Sequence, residues 1–114
     1  LFEVKLPQPK NENEMVKPNP LTLTVMLNKD GKLMLNYEDL GTISNTERLT
    51  NKLIEEFKDR EKNGIFREGT NEIVKTVFLR VSKSVKYSDF IKLVDAVKIS
   101  GAEPIGIQLD DLSL

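Results

Sequence analysis

The spacing of apolar residues predicts a β-hairpin where the periodic part of the chain begins. Apolar side chains occupy every second position of the first segment, at Leu21, Leu23, Val25 and Leu27. A period of two places these side chains on one face of a strand. Residues 28–31 read Asn-Lys-Asp-Gly, and an Asp-Gly pair tolerates the positive φ of a tight turn. Leu33 and Leu35 continue the alternation, so we expect a returning strand that buries the same face.

A first amphipathic helix is predicted from about residue 44. Ser44 and Glu47 fit the S-x-x-E pattern of a capping box, in which two side chains accept backbone N–H groups at a helix start. Charged residues fill one face of the following segment, and the other face carries Leu49, Leu53, Ile54 and Phe57. Gly64 is a typical helix stop. Residues 37–43, before this helix, are compatible with a short edge strand or with a loop.

A second unit of strand, helix and strand follows. Residues 73–81 form a nearly continuous apolar run, which is typical of a strand covered on both faces. Helical spacing predicts a helix over residues 87–100, with an apolar stripe of Tyr87, Phe90, Ile91, Val94 and Val97. Gly101 ends that helix. A last strand is predicted over residues 103–109, because apolar residues alternate there at Ile105, Ile107 and Leu109.

Together these elements predict an α+β fold in the order β-β-α-β-α-β, to which residues 37–43 would add one edge strand. A helix that connects two strands of one sheet makes a crossover, so we expect the last two strands to be parallel neighbours. A small mixed β-sheet with two helices packed on one face would bury every apolar stripe. The predicted domain covers residues 21–114.

Residues 1–20 show no periodicity and are predicted to form an extended linker. Most of the prolines of the chain lie in this segment, at Pro7, Pro9, Pro18 and Pro20. Proline fixes φ and removes a hydrogen-bond donor, which favours an extended chain. Apolar residues such as Leu6 are too few there to form a core. Because the sequence starts at Leu1, we expect it to be part of a longer protein.

Composition narrows the classes of function. The 114 residues are 39% hydrophobic and 31% charged, as is typical of one soluble folded domain. The formal net charge of −1 gives no basic excess for binding nucleic acid. Cysteine and histidine are both absent, which removes disulfides, thiol chemistry and the commonest general base and transition-metal ligand. No apolar run approaches the ~20 residues that a membrane helix needs.

Polar motifs that could carry catalysis or bind ions are weak. Asp89 and Asp95 do not share a helix face at i, i+3 or i+4, and the side chains of Asp110 and Asp111 would diverge in an extended segment. Residues 28–31 begin like a calcium loop, but no later ligands arrive at the required spacing. We therefore predict no catalytic residue, no metal site and no cofactor.

The order of motifs in the C-terminal half resembles the ExbD/TolR family of biopolymer transport proteins. The family pattern is a buried strand, a V-x-Y helix start, a D-x-x-K/R pair in the helix, a glycine and a short I-G strand. The chain has these elements in the same order, within residues 77–82, 85–98 and 101–107. The hairpin of residues 21–35 and the Leu6-Pro7 step resemble the family's N-terminal part. The resemblance covers nearly all of the chain and is most specific over residues 76–109.

The resemblance implies a bacterial inner-membrane complex that uses the proton motive force. Family members have one membrane helix, expected here upstream of Leu1, and a periplasmic domain, expected here to be residues 21–114. The implied partners are an ExbB- or TolQ-like membrane subunit, a TonB- or TolA-like transducer and a second copy of the chain. The proton-carrying Asp lies in the membrane helix, so this domain would transmit or regulate the use of proton flow.

Two features depart from the family pattern. Many relatives have Asp where this chain has Ser82, so a role of that carboxylate does not carry over. Residues 58–72 resemble an insertion after the first helix, either a contact site specific to this lineage or a longer loop.

Three functional hypotheses follow. The first is an ExbD-like domain that dimerises and engages a TonB-like transducer to power outer-membrane transport. An extended partner would pair with an exposed sheet edge or dimer seam, for which the candidates are Pro104, Ile105, Ile107 and Leu109. The alternative for these residues is an ordinary core strand. The second hypothesis is a TolR-like domain that binds peptidoglycan in a Tol-Pal-type complex, and the third is a free-standing regulatory domain for a small ligand.

Overall fold

The computed structural model describes residues 21–110. Its elements follow the chain in the order β1 (Leu23–Leu27), β2 (Lys32–Leu35), β3 (Glu38–Thr42), α1 (Glu47–Lys62), β4 (Val77–Ser82), α2 (Tyr87–Ile99) and β5 (Ile105–Asp110). Residues 37–43, for which the sequence allows a strand or a loop, contain β3. The predicted linker lies outside the described residues and stays a prediction; its named members are Leu6, Pro7, Pro9, Pro18 and Pro20.

The strands form one five-stranded mixed sheet in the order β3-β2-β1-β4-β5. β1 and β2 pair antiparallel across a turn in which Gly31 has a φ of +83°, a conformation that glycine adopts without strain. β4 pairs in parallel with both β1 and β5, as expected for a crossover through α2. The α+β class, the parallel final pair and the additional edge strand are therefore confirmed.

Both helices pack on the same face of the sheet, where the core lies. Every second residue of β1 and β4 is buried there. The helices contribute the buried side chains Leu49, Leu53 and Phe57 from α1 and Leu93, Ala96 and Val97 from α2. The hydroxyl of Thr50 donates a hydrogen bond of 3.1 Å to the carbonyl of Ala96 and so joins the two helices. Burial of each Leu or Val contributes about 1.5–3 kcal/mol, so this layer is the main source of stability.

The start of α1 differs from the predicted capping box. The helix begins at Glu47, and its N-cap residue Thr46 makes no side-chain cap hydrogen bond. Oδ1 of Asn45 instead accepts the backbone N–H of Glu47 at 3.0 Å, and the Ser44 hydroxyl lies 2.7 Å from that of Thr42. The prediction was wrong because residues 44–46 belong to the connection from β3, which leaves Ser44 too far from the first turn to cap it.

β4 is shorter and more open than the sequence predicts. It covers Val77–Ser82 rather than residues 73–81, and Phe78 on the face away from the helices is 45% exposed. The expectation of a strand covered on both faces is wrong, because both helices lie on one side. The sequence of this strand is nearly continuously apolar because alternate residues enter the core and Phe78, between two of them, is apolar although it lies on the open face.

The segment that resembles an insertion is divided between a helix and a small hairpin. Residues 58–62 are the last residues of α1. Further on, Phe66 pairs with Ile73 in an isolated antiparallel bridge, and the N–H of Arg67 donates to the carbonyl of Glu72 at 2.8 Å. Residues 66–73 therefore form a hairpin closed by its own backbone hydrogen bonds.

One charged side chain is buried where α1 meets the sheet. Arg60 is 2% exposed. Its guanidinium donates to Oε2 of Glu56 at 3.0 Å, to the carbonyl of Val74 at 3.0 Å and to the carbonyl of Leu21 at 2.9 Å. Leu21 precedes β1 and Val74 precedes β4, so one side chain joins α1 to the entry points of two adjacent parallel strands. The planar guanidinium suits this role because its donors point in fixed, divergent directions.

Replacement of Arg60 by Met should lower the free energy of unfolding by about 2–4 kcal/mol, because the carbonyls of Leu21 and Val74 lose this donor inside the protein. Urea denaturation followed by circular dichroism measures the change. Lys62→Met, at the exposed last residue of the same helix, is the matched control and should change the free energy by less than about 0.5 kcal/mol. Equal denaturation midpoints for the two variants would contradict the clamping role of Arg60.

Candidate functional site

β5 ends the sheet, and its hydrogen bonds show which main-chain groups point to the free edge. Within residues 21–110 it pairs with β4 alone. The carbonyl of Pro104 accepts the N–H of Val77 at 3.1 Å, and the carbonyl of Asp110 accepts the N–H of Lys83 at 2.9 Å. Successive residues of a strand direct their N–H and C=O groups to opposite sides. The main-chain groups of the even-numbered residues from 104 to 110 therefore point toward β4.

The odd-numbered residues Ile105, Ile107 and Leu109 direct their N–H and C=O groups away from β4. Their donors and acceptors recur every second residue, about 6.6 Å apart along the strand. Pro104, the fourth residue predicted for this edge, differs because its carbonyl faces β4 and proline has no N–H. Within the predicted group of four, Ile105, Ile107 and Leu109 are therefore the residues whose main-chain groups point outward.

The side chains of the same three residues make this edge apolar. They lie on the helix-covered face, in register with Val77, Leu79 and Val81 of β4. Leu79 is fully buried, whereas Ile107 is 51% exposed and Leu109 is 59% exposed. The helices therefore cover β4 and leave the outer strand half open. Exposed apolar side chains on an edge strand are a typical site for pairing with another chain.

The opposite edge of the sheet is protected against pairing. β3 carries Glu38 and Asp39, and a bulge interrupts its pairing with β2. Oδ1 of Asp39 accepts the N–H of Gly41 at 2.8 Å, and the ammonium of Lys32 lies 3.2 Å from Oδ2. This amide and the lysine lower the pKa of the Asp39 carboxyl below its ordinary value, which favours the ionised form. Charge and a bulge are common means of blocking strand addition, so the two edges differ in what they can bind.

The face of the sheet away from the helices carries a shallow groove beside β5. Thr24, Phe78 and Gly106 lie in register across β1, β4 and β5, and all three line the groove, which has a volume of about 410 Å³. Arg80 borders it, and its guanidinium donates to Oδ2 of Asp110 at 2.7 Å. The ion pair leaves this part of the open face close to electrically neutral.

The described residues 21–110 contain no group of acidic side chains that could hold a metal ion. Ser82, at the position where the family pattern often has Asp, is buried, and its hydroxyl accepts the N–H of Ser84 at 3.1 Å. Ser82 therefore shapes the turn that leads into α2. Over the same range, neither helix has the length and apolar character needed to cross a membrane.

β5 presents an edge with exposed apolar side chains, and comparison with family models decides the family of the chain. The model described as biopolymer transport protein ExbD/TolR matches residues 1–112. The chain belongs to the ExbD/TolR family. A search of curated proteins returned no match. As an ExbD/TolR protein the chain is a non-enzymatic component of biopolymer transport.

Membership also defines the general setting of an ExbD/TolR chain. The family is anchored in the inner membrane and has a periplasmic domain. Its general partners are ExbB or TolQ in the membrane and TonB or TolA as the transducer. The described part of this ExbD/TolR chain, residues 21–110, is one sheet with two helices.

Sequence reasoning missed two features of the ExbD/TolR domain that bear on this edge. The first is the direction of each main-chain group of β5, which follows only from the pairing with β4. The second is the position of Phe78 beside Gly106 on the open face. A glycine within an alternating apolar strand is a signal of close approach by another group, but the parallel register is needed to identify Phe78 as that group.

Proline substitutions should separate the outward from the inward residues of β5. Ile107→Pro removes an N–H that faces the free edge, whereas Gln108→Pro removes one that faces β4. We expect Gln108→Pro to be less stable than Ile107→Pro by about 1–3 kcal/mol, because a carbonyl of β4 loses its donor. Thermal or urea denaturation of both variants measures this difference, and each variant is the control for the φ restriction of the other. A more stable Gln108→Pro variant would show that the assigned directions are reversed.

Proposed function

We propose that this chain is an ExbD-like subunit of a proton-motive-force-driven inner-membrane complex of the TonB–ExbB–ExbD type. Its domain, residues 21–114, would lie in the periplasm and engage a TonB-like transducer, while an upstream membrane helix would contact an ExbB-like subunit. The observation that carries the proposal is the apolar edge of β5, with three outward main-chain positions, in a domain of the ExbD/TolR family.

The transducer would bind as an added strand. An extended segment beside β5 would exchange hydrogen bonds with the main chain of Ile105, Ile107 and Leu109. Covering the exposed halves of Ile107 and Leu109 would contribute about 2 kcal/mol, and each main-chain hydrogen bond about 1 kcal/mol. The entropy lost on association offsets much of this sum, so the contact would be weak and reversible. A reversible contact suits a subunit that must engage and release its transducer repeatedly.

The sheet connects this edge to the point where the linker would enter the domain. Leu21, the first residue after the predicted linker, is held by Arg60 and precedes β1. β1, β4 and β5 are parallel neighbours. A pull along the linker against a partner on β5 would load the hydrogen bonds of these ladders together, because the force runs along the strands. Bonds that are loaded together share the force, so the arrangement suits transmission of tension between a membrane anchor and a transducer.

A second copy of the chain would also fit this edge. Antiparallel pairing of two β5 strands about Ile107 would place Ile105 opposite Leu109 of the partner subunit, and all three outward positions would be used in each copy. The exposed apolar side chains would then meet on the helix-covered face. Self-pairing and transducer binding would use the same main-chain groups, so the two states would exclude each other at this edge.

Titration of the ¹⁵N-labelled 114-residue chain tests the proposal. The titrant is a set of peptides that tile the periplasmic part of its TonB-like transducer. We expect the backbone amide signals of Ile105, Ile107 and Leu109 to shift, because their N–H groups gain an acceptor. Signals that stay unchanged at saturating peptide would end the strand-addition proposal.

Variants give this titration its controls. Ile107→Pro should weaken peptide binding at least about tenfold, because it removes one donor and places a ring at the edge. Tyr37→Ser changes an exposed aromatic residue between β2 and β3, at the far side of the sheet, and should leave the affinity unchanged. Equal losses of peptide affinity in the two variants would place the binding surface away from β5.

Sedimentation velocity of the same chain over a range of concentrations tests self-pairing. We expect a concentration-dependent dimer that Ile107→Pro shifts to monomer, because the two-fold pairing passes through this residue. A dimer that Ile107→Pro leaves intact would place the self-contact on another surface.

A further inference from the structure

An unusual contact lies beside the proposed strand-addition site. On the open face of the sheet, Phe78 of β4 is the register partner of Gly106 of β5. A Cβ atom placed on Gly106 would come within 2.8 Å of Cδ1 and 3.2 Å of Cε1 of Phe78. The phenyl ring therefore lies against the backbone of Gly106 and extends from β4 toward the free edge of the sheet.

This contact explains why an edge strand contains a glycine. Gly106 is not among the glycines with positive φ, so its backbone conformation would accept other residues. The space that the Phe78 ring occupies is what excludes a side chain. An aromatic side chain that covers a glycine on the neighbouring strand shields backbone that would otherwise face water. Phe78 as a residue remains 45% exposed, so part of its side chain is left for contact.

We propose that Phe78 and Gly106 form a notch that selects one large apolar side chain, aliphatic or aromatic, on the strand that pairs with β5. This inference rests on the proposed strand addition. The residue of an added strand that lies opposite Gly106 directs its side chain to the same open face, because cross-strand neighbours share a face. No side chain of β5 stands between that residue and Phe78. A large side chain can therefore reach across the ~4.8 Å between strands and pack on the ring.

The positions next to Gly106 define the rest of the preferred partner. On the helix-covered face, Ile105 and Ile107 favour apolar residues in the added strand. On the open face, Gln108 lies in register with Arg80, whose charge is already paired with Asp110, so a polar, uncharged residue fits there. The preferred partner is thus an extended peptide with three consecutive apolar residues and a neutral polar residue beside them. A strand in which apolar and polar residues strictly alternate would place apolar side chains on only one of the two faces of the sheet.

Two synthetic peptides test the notch. Their sequence is acetyl-Lys-Val-Thr-Val-Xaa-Val-Thr-Val-Lys-amide, with Leu or Ala as Xaa, so that Xaa and both threonines share one face. Dissociation constants come from the amide shifts of Ile105, Ile107 and Leu109 in the 114-residue chain. We expect the Leu peptide to bind about three- to tenfold more tightly than the Ala peptide, because Leu covers the exposed ring.

Three variants assign the preference to the notch. Phe78→Ala should remove the preference for Leu over Ala, and Gly106→Ala should reduce it, because the new Cβ displaces the ring. Phe66→Ala is the matched control, since Phe66 is a phenylalanine of similar exposure, 47%, in the hairpin after α1; it should keep the full preference. Circular dichroism of each variant establishes that it is folded, and Gly106→Ala provides an independent readout if Phe78→Ala is not.

The outcomes separate this inference from the proposed function. Shifts of the β5 amide signals, together with a preference for the Leu peptide that depends on Phe78, support both strand addition and the notch. Edge shifts with equal affinities for the two peptides, or with a preference that survives Phe78→Ala, overturn the notch and leave strand addition standing. An absence of edge shifts with these peptides and with the transducer peptides overturns strand addition, and the notch with it.

Discussion

The width of the sheet relative to its helices governs the rest of this structure. Five strands about 4.8 Å apart form a layer roughly 24 Å wide, whereas two packed helices about 10 Å apart cover roughly 20 Å. α1 contacts β3, and Leu40 of β3 is buried. The uncovered margin therefore falls on β5, where Ile107 and Leu109 are half exposed. The two helices complete the core of one face and leave one edge of it open.

This constraint separates the parts of the ExbD/TolR domain that stabilise it from the part that is available to partners. The helix-covered faces of β1 and β4 form the core, and Arg60 ties α1 to the start of both strands. At β3, charged side chains and a bulge hinder the addition of another strand. Residues 105–109 of β5 include no charged side chain and no bulge, and the outward main-chain groups coincide with exposed apolar side chains. An edge of this kind is a liability in an isolated domain and an asset in a subunit that works by assembly.

In the proposed strand addition, the strand that anchors the edge would also give it selectivity. β4 supplies Leu79 to the core and Phe78 to the open face, and the Phe78 ring lies on Gly106 of the edge strand. Main-chain pairing alone accepts almost any extended segment, so discrimination among partners must come from side chains on the two faces. A domain whose described residues hold no cluster for a metal ion would be specific in this way, through the shape of a strand edge.

The sequence by itself determined the fold class and every named element except β3, because the period of an apolar pattern is a property of neighbouring residues. Leu23, Val25 and Leu27 already indicate a half-buried strand. The predicted capping box failed because its residues belong to a turn that tertiary packing positions. Only the tertiary structure decided which partners Arg60 holds, 14 and 39 residues away, and which aromatic ring covers Gly106. Those contacts depend on parallel register across a crossover, and no local pattern encodes a register between strands that a helix separates.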